Sequence, residues 1–169
     1  QRQMCIRDRL GVSQEVLTAA ALHKGTSVVE FLQNCVIYNN GIHSCITDKE
    51  YRADRTIHLE HGKKMLFGKD MNRGLVQDGF LLKAVEIGKD GYTIDDVLVH
   101  DAHTPTNFLH QQLAMMDGKE LPLAIGVIRD VASLTYNDEV DRQVEEVRAK
   151  KGFDSLRSMI LAGETWEVK

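Results

Sequence analysis

The chain has 169 residues, a length that suits one ordinary domain with or without a small appendage. Hydrophobic residues make up 43% of it, enough to build a core, which excludes wholesale disorder. A formal charge of -4 without a long basic run argues against a nucleic-acid partner, and no stretch approaches the ~18 apolar residues needed to cross a bilayer.

The polar, charged N-terminus lacks the apolar core of a secretory signal, so a cytoplasmic protein is expected. Its first stretch, QRQMCIRDR (Gln1 to Arg9), matches residue for residue the translation of a common transposase sequencing adapter. That stretch is read as a sequencing artefact rather than as part of the fold. Setting it aside removes Cys5 and makes the remainder more acidic. On this reading the frame enters a gene at an arbitrary point, and a preceding part of the protein is expected to be missing. Cys35 and Cys45 remain, and without an export signal they do not suggest a disulfide framework.

In chain order, Gly11 to His23 predicts a helix, with Ser13 as N-cap, Val16, Leu17, Ala20 and Ala21 as an apolar stripe, and Gly25 as terminator. Thr26 to Gln33 is rich in β-branched and apolar residues and predicts a buried strand of a parallel sheet. Helix followed by strand reads as the second half of a βαβ unit. Asn34 to Thr47 reads as loop, with Asn39, Asn40 and Gly41 as turn signals. Thr56 to Glu60, Lys64 to Phe67 and Leu81 to Ile87 are strand candidates in a glycine-punctuated region that suggests small antiparallel β structure. Thr93 to Val97 predicts a helical turn, and Thr106 to Met116 a helix between Pro105 and Gly118. Leu123 to Arg129 predicts a strand. Asn137 to Lys151 predicts a charged helix, capped by Asn137, with Val140, Val144 and Val147 on one face. Asp154 to Leu161 predicts a last helix, ended by Gly163.

Cys35 is the residue most open to chemistry. It follows the Thr26 to Gln33 strand, and ligands of open α/β sheets gather at the carboxyl ends of strands. A free cysteine is equally a small buried hydrophobe, and the pattern alone leaves both readings open. Cys45 reads as structural. Zinc ligation by Cys35, His43, Cys45, His58 and His61 is disfavoured, because no tight pair such as C-x2-C occurs. The pairs His58/His61 and His100/His103 read as hydrogen-bonded or solvated histidines. HGKK and FGKDMNRG lack the G-x-x-x-x-G-K-[ST] pattern of a phosphate loop, and no G-x-S-x-G serine-hydrolase element is present. Val144-Glu145-Glu146-Val147 reads as a solvated helix face.

Several segments together carry a resemblance: HKGTSVVEFLQNCVIYNNG, DRTIHLEHGKKMLFGKDMNRGL, DDVLVHDAHTPTNFLHQQLAMM, LPLAIGVIRDV and LAGETWEVK. In their order and spacing, from about Leu10 to Lys169, the chain resembles the C-terminal half of the β subunit of 2-oxoacid:ferredoxin oxidoreductases, most of all the 2-oxoglutarate type. The resemblance implies an α/β fold: the C-terminal part of a thiamine-diphosphate-binding domain (a truncated parallel sheet with helices) over residues 10–54, plus a small mixed α+β C-terminal extension over residues 55–169. It implies oxidative decarboxylation of a 2-oxoacid to an acyl-coenzyme A, with electrons passed to ferredoxin or flavodoxin, in a complex with an α subunit. In such a subunit thiamine diphosphate, Mg2+ and one [4Fe–4S] cluster are expected. The family's fourth cluster cysteine, in the motif that here reads QNCVIYN, falls on Cys35.

The family's C-x2-C and G-D-G elements lie upstream of the matched part and are not in this chain. The chain alone is therefore expected to bind none of these cofactors and to be inactive, and it offers no catalytic acid or base. The extension is expected to cover a sheet edge or a subunit contact. The competing reading is a cofactor-free protein-interaction module that keeps the fold.

Overall fold

The computed structural model describes residues 2–4, 10–150, 155–164, Trp166 and Val168. Gln1, Cys5 to Arg9, the helix-end position Lys151 and the helix-start position Asp154 lie outside the described residues. Contacts divide the chain into two compact units, one built from residues up to His23 and Ser27–Ala132, the other from Lys24–Thr26 and Ser133 onward.

The larger unit is mixed α/β. Its strands are β1 (Arg2–Met4), β2 (Glu30–Leu32), β3 (Thr56–Leu59), β4 (Leu66–Phe67), β5 (Arg73–Asp78), β6 (Leu81–Glu86) and β7 (Leu123–Gly126). Its helices are α1 (Leu10–Leu22), α2 (Ser44–Thr47), α3 (Arg52–Arg55) and α4 (Phe108–Met115). A four-stranded sheet runs in the order β2-β1-β7-β3, and a three-stranded sheet in the order β4-β5-β6.

The core is organised around β3 and β7, which pair in parallel with Ile57 opposite Ala124 and Leu59 opposite Gly126. Side chains alternate across a strand, so each strand serves two faces. Ile57, Leu59 and Ala124 face a cluster with Met65, Phe67, Leu75, Leu82, Leu113 and Met116. Leu123 and Ile125 face the opposite side, where Ile46 of α2 packs. All four residues of β7 are buried, as an interior strand with both faces covered requires. Each fully buried aliphatic side chain of this kind contributes about 1.5–3 kcal/mol relative to exposure.

The antiparallel character expected of the middle region holds for β4, β5 and β6. β5 and β6 form a hairpin whose turn carries Gly79 at φ +64. Glycine at the first central position matches a type II′ turn, which suits the right-handed twist of the strands. Sequence pattern does not predict β5, because Gly74 breaks the run. Val97 fills the space a side chain would occupy there: a Cβ on Gly74 would lie 2.5 Å from it. β3, by contrast, is not antiparallel to its neighbours. It joins β7 in parallel, a partner far along the chain that local pattern does not reveal.

Four further expectations are corrected. Ser13 does not cap α1; the helix starts at Leu10, and Ser13 is buried inside it beside Val16. On that helix Leu17 and Ala21 face outward, not into the stripe. The strand expected over Thr26 to Gln33 is only Glu30–Leu32, and it is exposed rather than buried. It sits at the sheet edge with β1 as its neighbour, and Val28 and Phe31 are open to solvent. β-branched and apolar content favours extended backbone but does not determine which layers cover it. Finally, Ser44–Thr47 is one helical turn where loop was expected.

Arg2–Met4 pair in parallel with Glu30–Leu32 along the backbone. Such pairing is available to any non-proline sequence, so it is neutral on the origin of the segment.

In the smaller unit α5 (Tyr136–Lys150) and α6 (Leu156–Ile160) carry no buried residue. The cap of α5 is Thr135, not Asn137: the Asp138 amide donates to Thr135 Oγ1 at 3.2 Å and the Thr135 amide to Asp138 Oδ2 at 3.1 Å. This reciprocal arrangement satisfies two backbone donors at the helix start. Val144 and Val147 are exposed on the solvated face, as expected. Ser155 caps α6 through the Ser158 amide. Among the described residues no helix is long and apolar enough to cross a membrane.

Candidate functional site

Cys35 lies just beyond β2, in a turn rather than at the strand end itself. The turn is built by its own backbone, with the Asn39 amide donating to the Cys35 carbonyl at 2.9 Å. Asn34 brackets the loop with its side chain. Its Nδ2 donates to Asn40 Oδ1 at 2.9 Å, and its Oδ1 accepts from the Gly41 amide at 2.8 Å. Gly41 adopts φ +78, a conformation that suits glycine. The asparagines read as turn signals thus act by hydrogen bonds, as short amide side chains do in such loops.

The thiol of Cys35 is exposed and free. The backbone N–H groups of Tyr38, Ile37 and Asn39 point to its sulfur and hold its pKa below the ordinary 9.0. Donors aimed at the sulfur favour the thiolate, which is the metal-binding and nucleophilic form. The same geometry suits a cluster ligand, because N–H groups facing a ligating sulfur stabilise the cluster's charge. Around this loop Val36, Ile37 and Tyr38 are exposed. Among the described residues no group of three His, Cys, Asp or Glu side chains could hold a metal ion. Cys35 can therefore be one ligand, and a complete site needs thiolates from elsewhere. Cys45 lies on α2; its side chain is outside the described residues.

His58 and His61 do not converge. His58 Nε2 lies 3.6 Å from Glu15, whereas His61 accepts from the Ala102 amide at 3.2 Å. Lys63 and Lys64 of HGKK are engaged with Glu60 and with the Ile94 carbonyl.

A polar hub that sequence reasoning missed lies beyond the carboxyl ends of β3 and β7. The Arg129 guanidinium donates to the carbonyls of Thr104 at 2.9 Å, Pro105 at 3.1 Å and Thr106 at 3.2 Å, and to His110 Nδ1 at 3.0 Å. His110 in turn donates from Nε2 to the Asp101 carbonyl at 2.8 Å. His103 meets the Asp130 carbonyl at 2.6 Å, and the Asp130 carboxylate meets His23, just after α1, at 2.6 Å. The signal was present in HDAHTPT and IRD, polar runs flanking a buried strand. These groups are consumed by one another and by backbone carbonyls, so the hub orders the 101–106 loop rather than presenting a ligand site.

His100 is buried at the same place. Its Nε2 donates to the Val127 carbonyl at 2.9 Å, and its Nδ1 is buried without a partner among the described residues. Burial pushes its pKa below 6.5, and neighbouring His110 and His61 push the same way, against the Val127 carbonyl and Asp101. The unfolded chain therefore binds a proton at this residue more readily than the folded one. Its contribution to stability is complete above pH 6.5 and is lost as pH falls from there toward the lowered folded value. The urea midpoint is expected to drop between pH 7 and pH 5, and less steeply in His100→Gln. Equal slopes in both proteins would remove His100 as the cause.

No family model matches the chain, and no solved structure matches it. Among curated proteins, the 2-oxoglutarate oxidoreductase subunit KorB of Mycobacterium tuberculosis (strain ATCC 25618 / H37Rv) is 33% identical over 164 residues. The match covers 95% of this chain and 43% of that protein, in its C-terminal part. The chain is similar to the C-terminal part of a 2-oxoglutarate oxidoreductase subunit. It spans less than half the length of this relative. The resemblance expected from QNCVIYN and its companion segments is thereby shown.

Proposed function

We propose that this chain is the C-terminal part of the β subunit of a 2-oxoacid:ferredoxin oxidoreductase, with 2-oxoglutarate as the substrate. The similarity over 95% of the chain carries this reading. The whole enzyme oxidatively decarboxylates the 2-oxoacid to an acyl-coenzyme A with an α subunit as partner, and electrons leave through an iron–sulfur cluster to ferredoxin or flavodoxin. Thiamine diphosphate with Mg2+ supplies the decarboxylation chemistry when bound, and no described residue is assigned to it. Cys35 is the one proposed cluster ligand in this chain. Its exposed thiol and the three amides facing it support that role. The loop holds the sulfur in place, the amides favour its thiolate, and the Asn34 bracket keeps those amides aimed. By itself the chain is proposed to be inactive, because one thiolate cannot replace four.

The test begins with the coding sequence before Leu10. Continuous sequence with C-x2-C and G-D-G supports the subunit, and a genuine start codon near Leu10 favours the cofactor-free interaction module instead. The completed subunit is then expressed anaerobically with its α partner. Cys35→Ser is expected to abolish or perturb the cluster's visible absorbance and its EPR signal. Spectra identical to the parent would take Cys35 out of the site.

A further inference from the structure

A cleft of about 300 Å³ opens between α3, the β4–β5 region and the turn before β7, away from the Cys35 loop. Its walls carry Arg55, Arg73 and Lys119, with Asp54 and Glu120 beside them and Phe67 as an apolar wall. Arg73 lies with its guanidinium 4.9 Å from the centre of the Phe67 ring. Stacking on an aromatic face fixes a planar guanidinium and leaves its edge donors free. Arg55 uses one donor, to the Gly118 carbonyl at 3.4 Å. Gly118 itself is tightly set: its φ is +82, and a Cβ there would lie 2.6 Å from Ile46. The carbonyl that orients Arg55 is therefore part of a fixed turn.

Both arginines are half-buried, and neither forms an ion pair with a carboxylate among the described residues. Lys119 is exposed and meets Asp117 at 3.5 Å. Partly desolvated guanidinium groups without an anion are costly, and a bound oxyanion relieves that cost through paired, charge-assisted hydrogen bonds. The two carboxylates on the wall leave the cleft with an excess of cations, which sets an upper bound on the charge it accepts.

We propose that this cleft binds the oxyanion group of a small ligand, a phosphate or a carboxylate, between Arg55 and Arg73. Arg73 is the principal anchor, because the Phe67 ring pre-orients it. Lys119 acts as a mobile counter-charge at the rim.

The test uses the 169-residue chain and two probes, inorganic phosphate and acetate, titrated at constant ionic strength with chloride as the balancing anion. Amide chemical shifts are followed by NMR. Saturable shifts are expected at Arg55, Arg73, Gly118 and Lys119. A response to phosphate alone supports a phosphate ester as the source, and a response to both probes supports an oxyanion site open to carboxylates. Absence of saturable shifts, or shifts centred elsewhere, overturns the proposal. Arg73→Gln is expected to weaken binding about tenfold or more, the loss of a bidentate charge-assisted contact. Unchanged affinity in a folded Arg73→Gln protein also overturns it. Shift mapping on the parent chain decides the matter if that variant fails to fold.

Discussion

Gly126→Ala is expected to destabilise the larger unit by about 3 kcal/mol or more. Two costs coincide at this position. The backbone sits at φ +99, which L side chains rarely adopt. A Cβ there would also lie 2.7 Å from the Leu59 carbonyl oxygen and 3.1 Å from the His58 ring. The carbonyl belongs to β3, opposite Gly126 in the parallel pair. Relief requires β3 and β7 to separate, and that pair carries both core faces. For a chain of this size a 3 kcal/mol loss lowers the melting temperature by roughly 6–12 °C. Gly79→Ala is the control. It has a positive φ of +64 but nothing within 4 Å of a Cβ, so it bears conformational strain alone. Its cost is expected near 1–2 kcal/mol. Thermal denaturation of both variants separates strain from collision; equal losses would show that the Leu59 contact is immaterial.

Arg129→Ala is expected to cost about 2–4 kcal/mol and to loosen the 101–106 loop. The side chain donates to three successive carbonyls and to His110. Its removal strands these acceptors in a partly buried place, and an acceptor left without its donor costs more than a bond never made. Arg129→Lys is expected to recover little. An ammonium is a point charge and cannot span carbonyls that diverge around a planar fork. Urea denaturation gives the stability. Hydrogen exchange of the amides at Asp130 and His103, which close the hub on Ala102 and Asp101, gives the local loosening. A variant with parental exchange rates would refute the hub as the organiser of this loop.

What could be read from the sequence divides along a physical line. Elements set by local signals were legible: α1 in part by its apolar stripe, α4 by Pro105 and Gly118 at its flanks, α5 by its charged face, and the helical turn over Thr93 to Val97 and the β6 strand as short local runs. Their boundaries shifted where a cap competed with a neighbour of similar chemistry, as Thr135 does with Asn137. Properties set by distant partners were not legible. The direction of β3, the exposure of β2 and the hidden β5 all depend on which strand lies alongside. The same line runs through the site. Cys35 and its turn residues lie within a few positions of one another, and their loop could be anticipated. The amides that face the sulfur and the brace from Asn34 arise only from how the loop folds. The Arg129 hub joins segments far apart in sequence, and only a folded chain brings them together.

The pairing of β3 with β7 has a kinetic consequence. The two strands that hold the core together are separated by the whole of the β4–β5–β6 sheet and α4. During synthesis Ile57 and Leu59 emerge long before Ala124 and Ile125, and they wait without their parallel partner. The β5–β6 hairpin, closed by its short turn, needs no such wait. Local hairpins form in microseconds, whereas distant parallel pairing must first meet the entropy of closing a long loop. The larger unit is thus expected to fold hairpin first, with closure of β7 against β3 setting the rate.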